Sequence, residues 1–271
     1  MKILVTGATG FIGKNLFKHF ESSGHEVTAW HRHQDLSSLL EAFRPECVLN
    51  CAAEIYDEKK MFYPNIYLVQ VLLDYCKESG ARLIHFGSSS EYGSVNKITA
   101  EDTLPQPDTV YGATKLAATN IVVGTAKQHN IDAVVLRLYS PFGPGERPHR
   151  LFPNFWKAAK LEQPMTLVNG VHDFTYIEDV VSAVQYVFST GHAFSGQVYN
   201  ICNSEQYTNF EIHFMFELLS QKELPVTRDE KWVTPKIWTG DNTLFRQTFN
   251  WAPKYTIYDG IQEFLEHGVY E

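Results

Sequence analysis

The chain has 271 residues, enough for a full core in one large domain or in a domain with a smaller lobe. Its 23 basic and 31 acidic residues leave a net charge of -8, which gives nucleic-acid binding no electrostatic support. No run is apolar enough to span a membrane. The start enters a strand directly, without a signal-peptide pattern, and Cys47, Cys51, Cys76 and Cys202 lack metal-ligand spacing, so a cytoplasmic protein with reduced thiols and no metal is expected.

The first element is the apolar strand 2–6. It runs into Gly7-Ala8-Thr9-Gly10-Phe11-Ile12-Gly13, followed by a helix over 11–22 with Leu16, Phe17 and Phe20 on one face. A G-x-x-G-x-x-G turn between strand and helix suits a pyrophosphate: Gly7 permits a tight turn, Gly10 lets the backbone approach, and Gly13 lets helix and strand pack closely. The helix start offers free N–H groups to the phosphates.

A second strand, 26–30, ends in Trp30-His31-Arg32-His33, with no carboxylate. Next come a helix over 36–43, a strand over 46–51, a helix over 63–79 and a strand over 82–87 that ends in Ser88-Ser89-Ser90. The helix over 110–129 carries Tyr111-Gly112-Ala113-Thr114-Lys115. Residues four apart share a helix face, and an ammonium one turn from a phenol favours the phenolate, which makes Tyr111 usable as an acid or base. A strand over 132–138 follows. The alternation predicts an α/β fold built on a doubly wound parallel sheet. After Pro141 the pattern becomes irregular, and Phe152, Phe155 and Trp156 follow apolar helical spacing and read as core.

The order of glycine loop, serine at a strand end and Tyr-x-x-x-Lys resembles the extended short-chain dehydrogenase/reductase family, the NAD(P)-dependent epimerases, dehydratases and reductases of nucleotide sugars. The resemblance spans nearly the whole chain: Asn50-Cys51-Ala52-Ala53, Asn65, Glu91-Tyr92-Gly93, the stretch Leu136 to Gly145, Asp173 to Val180, and Asn250 to Lys254 also fit. It implies a Rossmann-like sheet. A dinucleotide-binding domain is expected over 1–165 and a substrate lobe over 166–271, with 174–190 returning to the first. The short segment between Trp30 and Cys47 implies a sheet trimmed at one edge, with Cys47-Val48-Leu49 as the family's fourth strand.

The resemblance also implies roles. Tyr111 would exchange the proton, Lys115 would lower its pKa and hold the nicotinamide ribose, and Ser88 would bond the same substrate oxygen, with Ser89 a close rival. Gly7, Thr9, Gly10, Phe11, Ile12, Gly13, His31, Arg32, Asp35, Leu36, Cys51, Ala52, Ala53, Tyr139 and Pro141 would line the cofactor, Asp35-Leu36 at the adenine ring. Ser89, Ser90, Arg147, His172 and Arg246 would face the substrate. His172 stands where relatives carry an Arg that reaches a diphosphate, which shifts that anchor toward Arg147 or Arg246.

The absence of a carboxylate beyond Trp30, with Arg32 able to clamp a 2′-phosphate, implies NADP(H) over NAD(H), which stays possible; the alternative is that Arg32 is a solvated loop residue. An exchangeable cofactor suits reduction of a 4-keto nucleotide sugar. A nucleotide-sugar epimerase with captive NAD is the alternative, and a non-catalytic NADP(H) sensor the third reading. Ser90-Glu91 at the dehydratase acid pair disfavours dehydration. The helix carrying Tyr111 is apolar on more than one face, which implies a homodimer.

Overall fold

The computed structural model describes residues 1–232 and 237–268, the side chains of 230–232 excepted. In chain order, β1 (Lys2–Thr6), α1 (Phe11–Ser22), β2 (Glu26–Trp30), α2 (Leu36–Phe43), β3 (Cys47–Asn50), α3 (Leu68–Ser79), β4 (Arg82–Ser88), α4 (Val110–His129) and β5 (Ala133–Leu138) alternate as expected. A π-helical turn over Tyr63–Tyr67 leads into α3. There follow β6 (Pro141–Phe142), α5 (Leu151–Leu161), β7 (Met165–Asn169), β8 (Val171–His172), β9 (Thr175–Tyr176), α6 (Ile177–Ser189), β10 (Ser195–Ile201), β11 (Tyr207–Thr208), α7 (Asn209–Ser220), β12 (Val226–Trp232), α8 (Thr243–Phe249) and α9 (Ile257–His267).

The main sheet runs in the order β10-β5-β4-β3-β1-β2, with β1 to β5 parallel. Continuous apolar strands buried on both faces are what a parallel sheet between helix layers requires, and Ile3, Leu4, Val5, Val48, Leu83 and Val135 are fully buried. The sheet ends at β2. The run Cys47-Val48-Leu49 therefore forms the third strand of this chain rather than a fourth: only α2 joins β2 to β3, so the trimmed edge is present as expected. In register, Thr6 faces Asn50 and Asn50 faces His85, which places a row of polar side chains across the sheet.

The local signals that end the helices are visible in the sequence. Asp35 caps α2 by accepting the Ser38 N–H, Thr109 caps α4 by accepting the Gly112 N–H, and Asn130 closes α4 in the left-handed conformation. The chain divides into two compact units. The first comprises 1–93, 103–138 and 183–200; the second comprises 94–102, 139–182 and the described residues from 201 onward. The boundary expected at residue 165 falls inside the second unit, and the last part of α6 belongs to the first. In the second unit Phe142 stacks on Phe152 at 4.2 Å between ring centres, and Phe155 stacks on Phe216 at 5.1 Å. Phe152 and Phe155 are core residues, and Trp156 is half-buried.

Candidate active site

The turn after β1 is built for an anion. Gly7 has φ 65°, and a Cβ there would stand 2.8 Å from the backbone N of Ala52. A Cβ at Gly13 would stand 2.3 Å from the Gly7 carbonyl oxygen, so the helix start lies directly on the turn. Gly10 caps α1 without a side-chain bond, and no acidic residue stands in the first turn. The N–H donors of that turn thus have no side-chain competitor for a phosphate. This cradle, with Thr9, Phe11 and Ile12 around it, fits a dinucleotide pyrophosphate.

At the end of β2, His31, Arg32 and His33 are exposed. Arg32 is ion-paired to Glu54 from the loop after β3, at 3.6 Å. Glu54 accepts the backbone N–H of Tyr56, with those of Asp57 and Ile55, and these bonds hold its carboxyl below the usual range. Asp35 spends its carboxylate on the α2 cap, which likewise holds it low. Leu36 is 6% exposed and packs in the hydrophobic core, so the structure leaves it little surface for an adenine ring.

Behind the glycine turn, Thr6 donates to Asn50 Oδ1 at 2.7 Å, and Asn50 Nδ2 donates to His85 Nδ1 at 3.0 Å. The Ala52 N–H donates back to Thr6 at 3.2 Å, which ties Cys51, Ala52 and Ala53 to the glycine strand. Cys51 is half-buried, and desolvation pushes its thiol well up, only partly opposed by Lys115.

The three expected reacting groups all belong to the first unit. Ser88 is the last residue of β4, and its Oγ accepts the Ser90 N–H at 3.1 Å, which leaves the hydroxyl proton free to be donated. Ser89 is buried and Ser90 half-buried in the one-turn helix that follows. Tyr111 is the second residue of α4 and is half-buried. Lys115 lies one turn on and is 3% exposed; burial pushes its ammonium down to about 8, against Glu91 and Cys51, which pull it back up. Gly112, between them, would drive a Cβ to 2.3 Å from the Ser90 carbonyl oxygen. This contact sets the serine turn directly on the first turn of α4, beside Tyr111.

Residues 3–202 match the NAD dependent epimerase/dehydratase family. The chain belongs to this family of enzymes. Among curated relatives it is 26% identical to an uncharacterized UDP-glucose epimerase of Bacillus subtilis, over 96% of each chain. It is 27% identical to a dTDP-6-deoxy-L-talose 4-dehydrogenase (NAD(P)(+)) of Kitasatospora kifunensis, over 97% of this chain and 94% of that one. Among solved structures it is similar to the UDP-glucuronic acid 4-epimerase of Bacillus cereus in complex with UDP-glucuronic acid and NAD, with a TM-score of 0.88, 28% identity and 98% of each chain covered.

In this epimerase/dehydratase chain the remaining expected residues lie in the second unit. Arg147 and Arg246 are exposed, the latter on α8. His172 accepts from or donates to Ser140 Oγ at 3.3 Å, and desolvation lowers it to about 4, with nearby Arg150 adding to the effect. It is therefore neutral at physiological pH and supplies no charge where an Arg would. Tyr139 is 1% exposed, with its hydroxyl bonded to Thr99. It is a core residue of the second unit. Pro141, half-buried, begins β6 and pairs with Thr175.

Two pairings join residues that the sequence leaves unconnected. Asn65 donates to Thr114 of α4 at 2.9 Å and to the Glu54 carbonyl at 2.9 Å, which joins the cofactor-side loop to the helix of Tyr111 and Lys115. Glu91 and Arg137 form a fully buried ion pair at 2.8 Å. The signals were present: a Ser-x-x-Glu capping box at Ser88, and a single charge inside the apolar run Val134 to Leu138.

Proposed function

We propose that this enzyme reduces a 4-keto nucleotide sugar, with Tyr111 as the acid and NADP(H) as the preferred cofactor. The observation that carries the reading is the end of β2: an exposed guanidinium, Arg32, with no carboxylate among its neighbours in sequence. A carboxylate there would repel a 2′-phosphate, whereas a guanidinium can grip one with two parallel bonds. The 4-dehydrogenase among the relatives supports a net oxidoreductase. The nucleotide sugars and nicotinamide cofactors named for the relatives supply the substrate class.

A bound nicotinamide dinucleotide supplies the hydride. The chain's residues supply the rest. The N–H groups at the start of α1 hold the pyrophosphate, with Gly7, Gly10 and Gly13 keeping the approach clear. The Tyr111 hydroxyl gives its proton to the sugar oxygen as charge develops there, and the Ser88 hydroxyl donates to the same oxygen. Lys115 stabilises the resulting phenolate and donates to the ribose. Arg147 and Arg246 provide cations for the diphosphate. Dehydration has no support, because the Glu91 carboxylate is spent on Arg137 and on the Ser88 N–H.

The Arg32–Glu54 pair favours a second reading, a 4-epimerase that retains NAD: the carboxylate partly neutralises the guanidinium and can itself receive ribose hydroxyls. Purified protein should be denatured, its released nucleotide identified, and stripped protein titrated with NADPH and NADH. Exchangeable binding with NADPH preferred, reversed in Arg32→Asp, supports the reductase. Retained NAD with no preference for NADPH favours the epimerase. We also infer a homodimer through α3 and α4, beside which Phe62, Tyr63 and Tyr67 are exposed. Light scattering that shows only monomer at micromolar concentration would refute it.

A further inference from the structure

A buried polar network in the first unit surrounds a residue given no chemical role above. Glu91 is wholly buried, and its two oxygens do different work. Oε1 accepts the Ser88 N–H at 2.8 Å, and Oε2 accepts Arg137 Nε at 2.8 Å. Arg137 in turn donates from Nη1 to the Tyr92 hydroxyl at 2.8 Å and lies over the Tyr92 ring at 4.6 Å. Tyr92 donates to Asn200 Oδ1 at 2.8 Å. Every partner in this chain is buried, and the space is so full that a Cβ at Gly87 would stand 2.5 Å from Glu91 Oε1.

A buried ion pair is weak evidence for stability, since well-packed apolar residues of similar volume often serve as well or better. Its placement is the informative part. One end of the Glu91 carboxylate grips the backbone of Ser88. Its turn carries the Ser90 carbonyl that rests on Gly112, between Tyr111 and Lys115.

We propose that Glu91 is a positioning residue of the reaction centre: held by Arg137, which Tyr92 holds in turn, it fixes the backbone of Ser88 and with it the turn that rests on Gly112 beside Tyr111. The proposal rests on Ser88, Tyr111 and Lys115 being the reacting groups.

The test separates positioning from folding. Glu91→Met/Arg137→Met replaces the pair with apolar residues and removes the acceptor for the Ser88 N–H, while Glu91→Gln/Arg137→Met keeps an amide oxygen there. The folded Met/Met variant should lose about tenfold to a hundredfold in kcat, with KM and dinucleotide affinity nearly unchanged, as a small misplacement of a reacting group does. The folded Gln/Met variant should recover most of that loss. Wild-type kcat in folded Glu91→Met/Arg137→Met, or equal losses in the two double variants, overturns the proposal. If instead Tyr111→Phe retains full turnover, the reading of the reaction centre fails, and the comparison of the double variants still reports on Glu91 alone.

Discussion

Gly112 rests on the carbonyl oxygen of Ser90, with room for a hydrogen and none for a methyl group. That one contact joins the end of β4 to the start of α4, and so joins Ser88 and Tyr111, the two groups proposed to meet the substrate oxygen. Glycine costs a helix about 1 kcal/mol relative to alanine, so Gly112→Ala would ordinarily be neutral or helpful. Here the neighbour is backbone, which cannot turn aside. Gly112→Ala is expected to lower stability by about 1–3 kcal/mol and to lower kcat, with dinucleotide affinity kept. Thermal unfolding, steady-state kinetics and cofactor titration check it; a more stable and fully active variant would show that the serine turn need not sit against α4.

Tyr111→Phe removes one hydroxyl from a half-buried ring and leaves the helix and glycine turn intact. Turnover should fall about a thousandfold, the scale of a general acid, while dinucleotide binding changes little. Loss of binding together with activity would instead mark Tyr111 as a structural or cofactor-holding residue.

Lys115 carries a charge that the fold disfavours. Its folded pKa of about 8 lies below the unfolded value of 10.5. The unfolded chain therefore binds more protons between these values, and stability rises with pH across that window. The burden is complete below about 8 and fades as pH approaches 10.5. Lys115→Met should abolish activity yet raise stability at pH 7, by up to about 3 kcal/mol, and should flatten the rise between pH 8 and pH 10. Urea unfolding at several pH values decides it. A less stable variant at pH 7 would mean that Lys115 is held by bonds worth more than its desolvation.

Burial lowers His172 to about 4, so the proposed function assigns the charge for a diphosphate to Arg147 and Arg246. Replacing either with Ala should raise KM for a nucleotide sugar about tenfold, as loss of one charge-assisted bond does, with kcat nearly unchanged. KM unchanged in both variants would remove these residues from the substrate site.

The first-half elements were legible because each strand is an unbroken apolar run and most helices carry their own stop signals, such as Asp35, Thr109 and Asn130. Boundaries moved by a residue or so: 46–51 became Cys47–Asn50, and 82–87 became Arg82–Ser88. The candidate reacting groups could be named because Tyr111 and Lys115 lie one helical turn apart in sequence. Pairings across the sheet were not. Arg32 meets Glu54, and Glu91 meets Arg137, only because β2, β3, β4 and β5 come to lie where they do. The partner of Tyr139 was hidden for the same reason: Thr99, which its hydroxyl meets, lies 40 residues away.

The interleaved chain path sets an order on synthesis. The outermost strand of the main sheet beside β5 is β10, Ser195–Ile201, and Arg82 near the start of β4 reaches the carbonyl oxygens of Val187, Thr190 and His192. A ribosome that has delivered the glycine turn, the serine turn and the Tyr111 helix has still not delivered the strand that closes the sheet. The nascent chain must hold an open β5 edge through some sixty further residues, several seconds of translation, and any truncation before residue 195 leaves that edge bare to other chains.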